Sequence, residues 1–407
     1  MGKARKIDLA HADYTLLVCV LFLVVLGLAT IWSATSYRAD QIFGDSSKYL
    51  RDQLLRVVIG LLLLVVVART DYRTWLGLAY SFYGFSVLVL AYLLTHGPFV
   101  VTQYGASSWL QVGPILFQPS DFARYALILL LARLLVKYRD KLDNLIHGYL
   151  MIFAFVLAMV GLIVLEHDMG GAALTMLVAL VMFYFAEVPV SVLAATVLTM
   201  GTGALSFIMI NPYMRKRLGM FIGTAFNHQE GLNYQLKQSL LALAHGGFWG
   251  QGAGGGHAKY NFLPMAHNDF IFSMIGEEYG LIGTIGVLTL FVIIVQRGIR
   301  IARHAPDGYG RLLAGGVTVC IGSYAIINAA VVTGLLPTTG IPMPFLSYGG
   351  TAIVAHLIGV GLLLNVSSQA DPAYARAVGW KTYQARLSRS AFQPGSYLSR
   401  RPDRIIH

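Results

Sequence analysis

Long apolar runs, broken by short polar or glycine-rich connections, recur along the chain at roughly 14–35, 54–69, 75–95, 119–137, 148–166, 170–187, 190–211, 269–295, 312–335 and 346–366. Coiled as helices, runs of this length cross a hydrocarbon core of about 30 Å. The pattern therefore predicts an all-α polytopic membrane protein of about ten transmembrane helices. An even number places both termini on one side of the bilayer. Two connections stand out by length: 95–118, which carries no charged residue, and 211–268, a large outer loop between the seventh and eighth helices. A connection of the second kind is too long to be a simple link and too rich in Phe248, Trp249 and Phe262 to be a mere spacer, so chemistry is expected there.

The distribution of charge sets the orientation. Lys3, Arg5 and Lys6 precede the first run, Arg69 and Arg73 follow the second, Lys137, Arg139 and Lys141 follow the fourth, and Arg297, Arg300, Arg303 and Arg311 separate the eighth and ninth. These stretches alternate as the positive-inside rule requires, so both termini are cytoplasmic. The formal charge of +11 is accounted for by this topology and by the basic tail, which removes nucleic acid from the expected partners. With 56% hydrophobic and 12% charged residues, the bilayer is the main solvent. Residues 1–366 form the membrane domain. Residues 367–407, basic and poor in apolar positions, read as a flexible cytoplasmic tail against anionic membrane lipids. Cys19 and Cys320 lie inside apolar runs and read as packing residues. Met1 to Asp13 is polar, and the first run is long enough to serve as its own anchor.

Ionisable groups near the outer ends of the runs are the candidates for chemistry, because a carboxylate or guanidinium at the membrane is costly unless paired or used. Asp269, delivered by the sequence FLPMAHNDF to the mouth of the eighth helix, is either a helix cap or a free base. Glu277 and Glu278 follow about 12–13 Å deeper along the same helix, as proton carriers or as parts of a structural network. Gln118, Pro119, Ser120 and Asp121 open the fourth helix, and Arg124 shares a face with Ser120 and Asp121. The anion for Arg124 is Asp121, Asp269 or a substrate phosphate. Arg215, Lys216 and Arg217, with Lys237, place positive charge on the outer side, either to neutralise a diphosphate or to anchor on lipid headgroups. Glu166 and Asp168 have the oxygen donors for a hard cation, magnesium or manganese, with helix-end capping as the alternative. His245, His257 and His267 match no zinc spacing. The glycine-rich stretch from His245 to Lys259 lacks a phosphate-loop ending and is an anion nest or a turn.

At these residues the sequence resembles the shape, elongation, division and sporulation (SEDS) family. The resemblance runs in order through Gly105, Ala106 and Trp109, the Gln118–Asp121 helix start, Asp168 with Gly170, Tyr234, Gln235, Gln238 and Ser239, and Gly246, Gly247 and Gly250. It continues through Leu263, Pro264, His267, the Asp269–Phe272 run, Glu277, Glu278, Asn328, the Gly334–Pro337 turn, Gly340 and the stretch from Pro344 to Gly350, covering Trp32 to about Val366. Departures from the family pattern are Arg124 where Lys is usual, Asp121 where Glu is usual, Met265 where Glu is common and Asn268 where Thr is common.

The resemblance implies a glycosyltransferase of the bacterial plasma membrane that polymerises lipid II, an undecaprenyl-diphosphate disaccharide-peptide. It implies a class B penicillin-binding transpeptidase and other division or elongation membrane proteins as partners. Asp269 matches the family's essential acid; the candidate substrate-binding set, read from the residues and the resemblance together, is Arg124, Lys237, Arg217, Arg215, Trp109, Gln118, Ser120, Asp121, Gln235 and Ser239, with Glu277, Glu278 and Asp168 as a structural network. Length and tail favour the division-type (FtsW-like) branch, whereas Gly340 to Pro344 favour the elongation-type (RodA-like) branch, and the division branch is preferred. The competing classes are a lipid-precursor flippase or transporter and a non-catalytic division scaffold.

Overall fold

The computed structural model describes residues 12–103, 106–113, 115–142, 144–212, 215, 219, 234–256 and 268–370. A helix lies on each of the ten predicted runs: α1 (Tyr14–Phe43), α2 (Lys48–Arg69), α3 (Tyr72–Leu93), α4 (Pro119–Lys137), α5 (Met151–Leu165), α6 (Met169–Phe185), α7 (Val190–Ile210), α9 (Ile271–His304), α10 (Gly308–Val332) and α11 (Ala352–Ser368). One shorter helix, α8 (Tyr234–Gly246), belongs to the outer segment between α7 and α9. Residues 14–43, 145–165, 190–210, 271–304 and 308–332 form helices long and apolar enough by themselves to cross a membrane. The tail beyond Ala370, with Lys216 and Arg217, lies outside the described residues.

Helix ends follow local chemistry. Asp13 caps α1 through Leu16 N at 3.1 Å, Asp168 caps α6 through Gly171 N at 2.7 Å, and Asp307 caps α10 through Gly310 N at 2.7 Å. α1 ends at Gly44, whose φ of 65° supplies the left-handed turn that an L side chain resists. The first helix therefore runs past the predicted residue 35, and the last begins at Ala352 rather than 346, because Met343 to Gly350 fold as a loop. α2 packs along α11, α9 along α10, and α3 along α4, while α10 also reaches α4 and α6. α7 leans on little besides α6, and only 6% of its apolar window is buried.

Two features depart from the sequence-based picture. The uncharged connection 95–118 holds a three-stranded antiparallel sheet, β1 (Val100–Gln103), β2 (Ala106–Val112) and β3 (Ile115–Phe117), with Val101 opposite Trp109 and Leu110 opposite Phe117. Apolar and polar residues alternate there over too few positions to register against the helical pattern. The second feature is a break in α9 at Gly280, φ 66° and ψ −162°. The backbone groups freed by the break are taken by the glycine-rich loop. Gln251 N and Gly252 N donate to the carbonyls of Glu277 and Glu278 at 2.9 and 3.0 Å, and Leu281 N donates to Gly247 O at 2.9 Å. Irregular backbone is tolerated inside a membrane protein where protein groups satisfy it in this way. A Cβ on Gly250 would collide with the carbonyl of Glu278, and one on Gly246 with that of Gly276, so close backbone approach explains these two glycines.

Candidate active site

Asp269 stands just before α9, at its outer end. The N-cap position is Phe270 and no side chain caps this helix, so the capping alternative for Asp269 is not what the structure shows. Its peptide carbonyl is held instead: Asn328 of α10 donates Nδ2 to Asp269 O at 2.7 Å and to Ile341 O at 2.8 Å. The bifurcated amide ties the mouth of α9 to the α10–α11 loop. Oδ2 of Asp269 lies 3.8 Å from where a Cβ on Gly340 would stand, and Gly340, with φ 73°, leaves that side open. Among the described residues the carboxylate has neither a hydrogen-bond partner nor an opposite charge beside it. Burial, and the charge of Asp168, push its pKa up to about 6.

Arg124 meets a different partner from the most useful one that its sequence position allowed. Its Nη1 lies 3.3 Å from Asp121 Oδ1, its Nε donates to Thr175 Oγ1 at 3.0 Å, and Nη1 also donates to the Tyr324 hydroxyl. Tyr324 in turn donates to Asp121 Oδ1 at 2.9 Å, and Thr351 Oγ1 reaches Asp121 Oδ2 at 3.4 Å. Arg124 is 2% exposed and Asp121 5%, so the pair closes on itself between α4, α6, α10 and α11. A buried pair completed by neutral donors in this way holds helices in register and leaves little charge to share. No pairing of Arg124 with Asp269 is present.

The other predicted residues divide by position. Gln118 donates its backbone N–H to Thr351 Oγ1 at 3.0 Å, and Trp109 approaches Gly350, so the outer sheet and the α4 start both close on the α10–α11 loop. Ser120 is fully buried with no partner for its hydroxyl. Asp168 caps α6, and burial raises its pKa, opposed by the Gly171 N–H and by Arg124. Glu166 is fully buried beside Asp168, and burial pushes its pKa up to about 8. Ser239 donates to Val332 O at 2.9 Å and thereby locks α8 to the end of α10. Gln235 is half-buried on the same helix, whereas Lys237 and Arg215 are exposed. Arg217 lies outside the described residues. Glu277 and Glu278 are buried in the first segment of α9, and Ser33 of α1 donates to the Glu278 carboxylate. No group of three or more His, Cys, Asp or Glu among the described residues has the arrangement to hold a metal ion. Asp168 is engaged as the cap of α6.

Tyr324, Thr175 and Thr351 were invisible as site residues in the sequence, since hydroxyls on apolar helices are common. One signal was available: Tyr324 and Asn328 are four apart on α10 and so share a face.

Comparison with known proteins fits this geometry. The family model described as cell cycle protein (FtsW/RodA/SpoVE) matches residues 14–371. The chain belongs to that family. It is 38% identical over 359 residues to a probable peptidoglycan glycosyltransferase FtsW of Geobacter sp. (strain M18), covering 88% of this chain and 97% of the relative. Stage V sporulation protein E of Bacillus subtilis (strain 168) is 34% identical, with 87% and 96% covered. Among solved structures, a chain from work titled "Structural coordination of polymerization and crosslinking by a peptidoglycan synthase complex" superposes with a TM-score of 0.73 at 26% identity, covering 89% of this chain and 100% of that one. The rod shape determining protein RodA of Thermus thermophilus superposes with a TM-score of 0.64 at 26% identity, with 88% and 97% covered. The FtsW/RodA/SpoVE chain described here is thus a multi-pass membrane protein, and its open acid and sealed Arg124–Asp121 pair sit on a fold shared with these proteins.

Proposed function

We propose that this chain is a peptidoglycan glycosyltransferase that polymerises lipid II into glycan strands at the outer face of the bacterial plasma membrane, with Asp269 as the general base. The observation that carries the reading is the Asp269 carboxylate: outside the helix, half-buried, without a partner among the described residues, and with a pKa raised toward neutrality. A base works best when its pKa lies near the working pH, and general-base assistance is worth about 10²–10⁴-fold. Asp269 accepts the proton of a GlcNAc hydroxyl, the oxygen attacks the anomeric carbon of the second precursor, and polyprenyl diphosphate departs. Asn328 fixes the backbone from which the carboxylate projects, so the base is presented by a braced turn.

The relatives named FtsW support the division branch and, with it, a class B penicillin-binding transpeptidase as partner; the peptidoglycan synthase complex named by the structural neighbour supports the same pairing. No observation favours transport. The bond from Ser33 to the buried Glu278 carboxylate supports reading this acid as part of a structural network and not as a carrier's proton site. Purified Asp269→Asn protein supplied with lipid II should form less than about a hundredth of the wild-type polymer while melting no lower than wild type and keeping its transpeptidase partner. Polymer at near wild-type yield from that variant removes Asp269 from the mechanism.

A further inference from the structure

Glycosyl transfer between two lipid-linked sugars brings two diphosphates to one site, the leaving group's and the acceptor's own. The groups around Asp269 are poorly suited to hold them. Asp121, Asp168 and Asp269 outnumber Arg124, which is already bonded to Asp121, Thr175 and Tyr324. An incoming diphosphate needs a cation outside that cluster but on the same scaffold.

α2 offers one. Arg56 lies about 12 Å along α2 from its outer end at Lys48. Its guanidinium carbon is 4.8 Å from the centre of the Tyr348 ring, and Tyr49 meets that ring edge-on at 5.4 Å. Gln53, one turn earlier on the same face, is 1% exposed and donates Nε2 to Ser347 O at 3.2 Å. Gln53 Oε1 and Arg56 Nη1 are buried atoms without a hydrogen-bond partner, and among the described residues Arg56 forms no ion pair. A half-exposed guanidinium held against an aromatic face keeps its plane fixed by the cation–π contact. With Nη1 buried, phosphate oxygens meet the half-exposed guanidinium through its solvent-facing N–H groups. The loop that carries Tyr348 also carries Gly340 beside Asp269 and Thr351 beside Gln118 and Asp121, so this cation and the base are tied to one element.

We propose that Arg56, held against Tyr348 on the loop that Gln53 anchors at Ser347, forms a binding station for the diphosphate of a polyprenyl-linked ligand on the outer-leaflet face of α2, separate from the Arg124 cluster. The identity of the ligand rests on the polymerase reading above; the station itself does not require turnover.

The test uses the full chain in nanodiscs with three probes: undecaprenyl diphosphate, inorganic pyrophosphate and phosphatidylglycerol. Wild type should hold undecaprenyl diphosphate best, and Arg56→Gln should weaken it about tenfold, the loss of one charge-assisted hydrogen bond. Arg56→Lys should recover part of that loss. In the polymerisation assay Arg56→Gln should raise KM for lipid II with little change in kcat. Asp269→Asn should keep the binding while making no polymer. An Asp269→Asn chain that polymerises but still binds through Arg56 overturns the base assignment and leaves this station standing. Equal affinity of Arg56→Gln and wild type overturns the station, as does an Arg56 dependence no greater for undecaprenyl diphosphate than for phosphatidylglycerol, which marks a headgroup anchor. Arg56-dependent binding of pyrophosphate equal to that of the lipid overturns the lipid-linked assignment. If Arg56→Gln does not fold, Tyr348→Leu carries the test: releasing the guanidinium should weaken diphosphate binding severalfold, and unchanged affinity sinks the proposal.

Discussion

The inner and outer rims of this membrane domain treat their acids in opposite ways. At the inner rim, Asp307 accepts from Tyr72 at 2.9 Å and from Arg73 Nε at 3.0 Å while capping α10. Asp13 accepts from Arg297 at 2.8 Å while capping α1, and Glu187 meets Arg139 at 2.9 Å. Each of these carboxylates joins elements distant in sequence. At the outer rim, Asp269 has no such partner among the described residues, and Glu166 is buried without one. Acids that close a structure are saturated, whereas acids left unsatisfied at full or partial burial are retained at a cost in stability, and function is the reason to retain them.

Asp121 sharpens the contrast, since it lies at the outer side yet is saturated, as are Asp168, which caps α6, and Asp45, which pairs with Arg51. Asp121→Asn should therefore give the largest loss of folding stability of the substitutions considered, about 3 kcal/mol, because it strands Arg124 as a buried cation. Thermal melting in nanodiscs checks this, and a wild-type melting temperature for that variant would place Arg124 in contact with another anion. Asp307→Ala at the inner rim should cost about 2 kcal/mol by removing a cap and charge-assisted bonds to Tyr72 and Arg73, with kcat unchanged in the protein that remains folded. A fall in kcat at constant stability would mean that the two rims are mechanically linked. The smallest effect concerns pH. Since Asp269 must be ionised to act, polymerisation should rise with pH through about 6, above the ordinary carboxylate range. The stability sign is the reverse: the folded-state pKa is raised, so the protonated form is favoured in the fold and its contribution is lost as pH rises through about 6. Asp269→Asn should consequently melt slightly higher than wild type at pH 8 and like wild type at pH 4.

The break in α9 shows where sequence reasoning stops. Gly246, Gly247 and Gly250 are conspicuous in the chain, but their role depends on Gly280 lying against them, about thirty residues away and separated by the outer segment. The outer sheet was missed for a related reason. Its strands are of three to seven residues, and Trp109 gains meaning only beside Gly350. Arg124 was recognised as needing an anion, yet three were available, and the choice turned on Tyr324 of α10 and Thr175 of α6 completing the pair with Asp121.

By itself the sequence determined what the bilayer enforces: apolar runs long enough to span, basic connections on one side, and an acid at the outer mouth of α9 where it needs a reason to exist. These follow from transfer of single segments between water and lipid, which each segment undergoes largely on its own. Only the tertiary structure decided which outer acid is sealed and which stays open, and which loop repairs the broken helix. Those outcomes depend on distances between segments remote along the chain, and a hydrogen bond changes from formed to absent over less than an ångström.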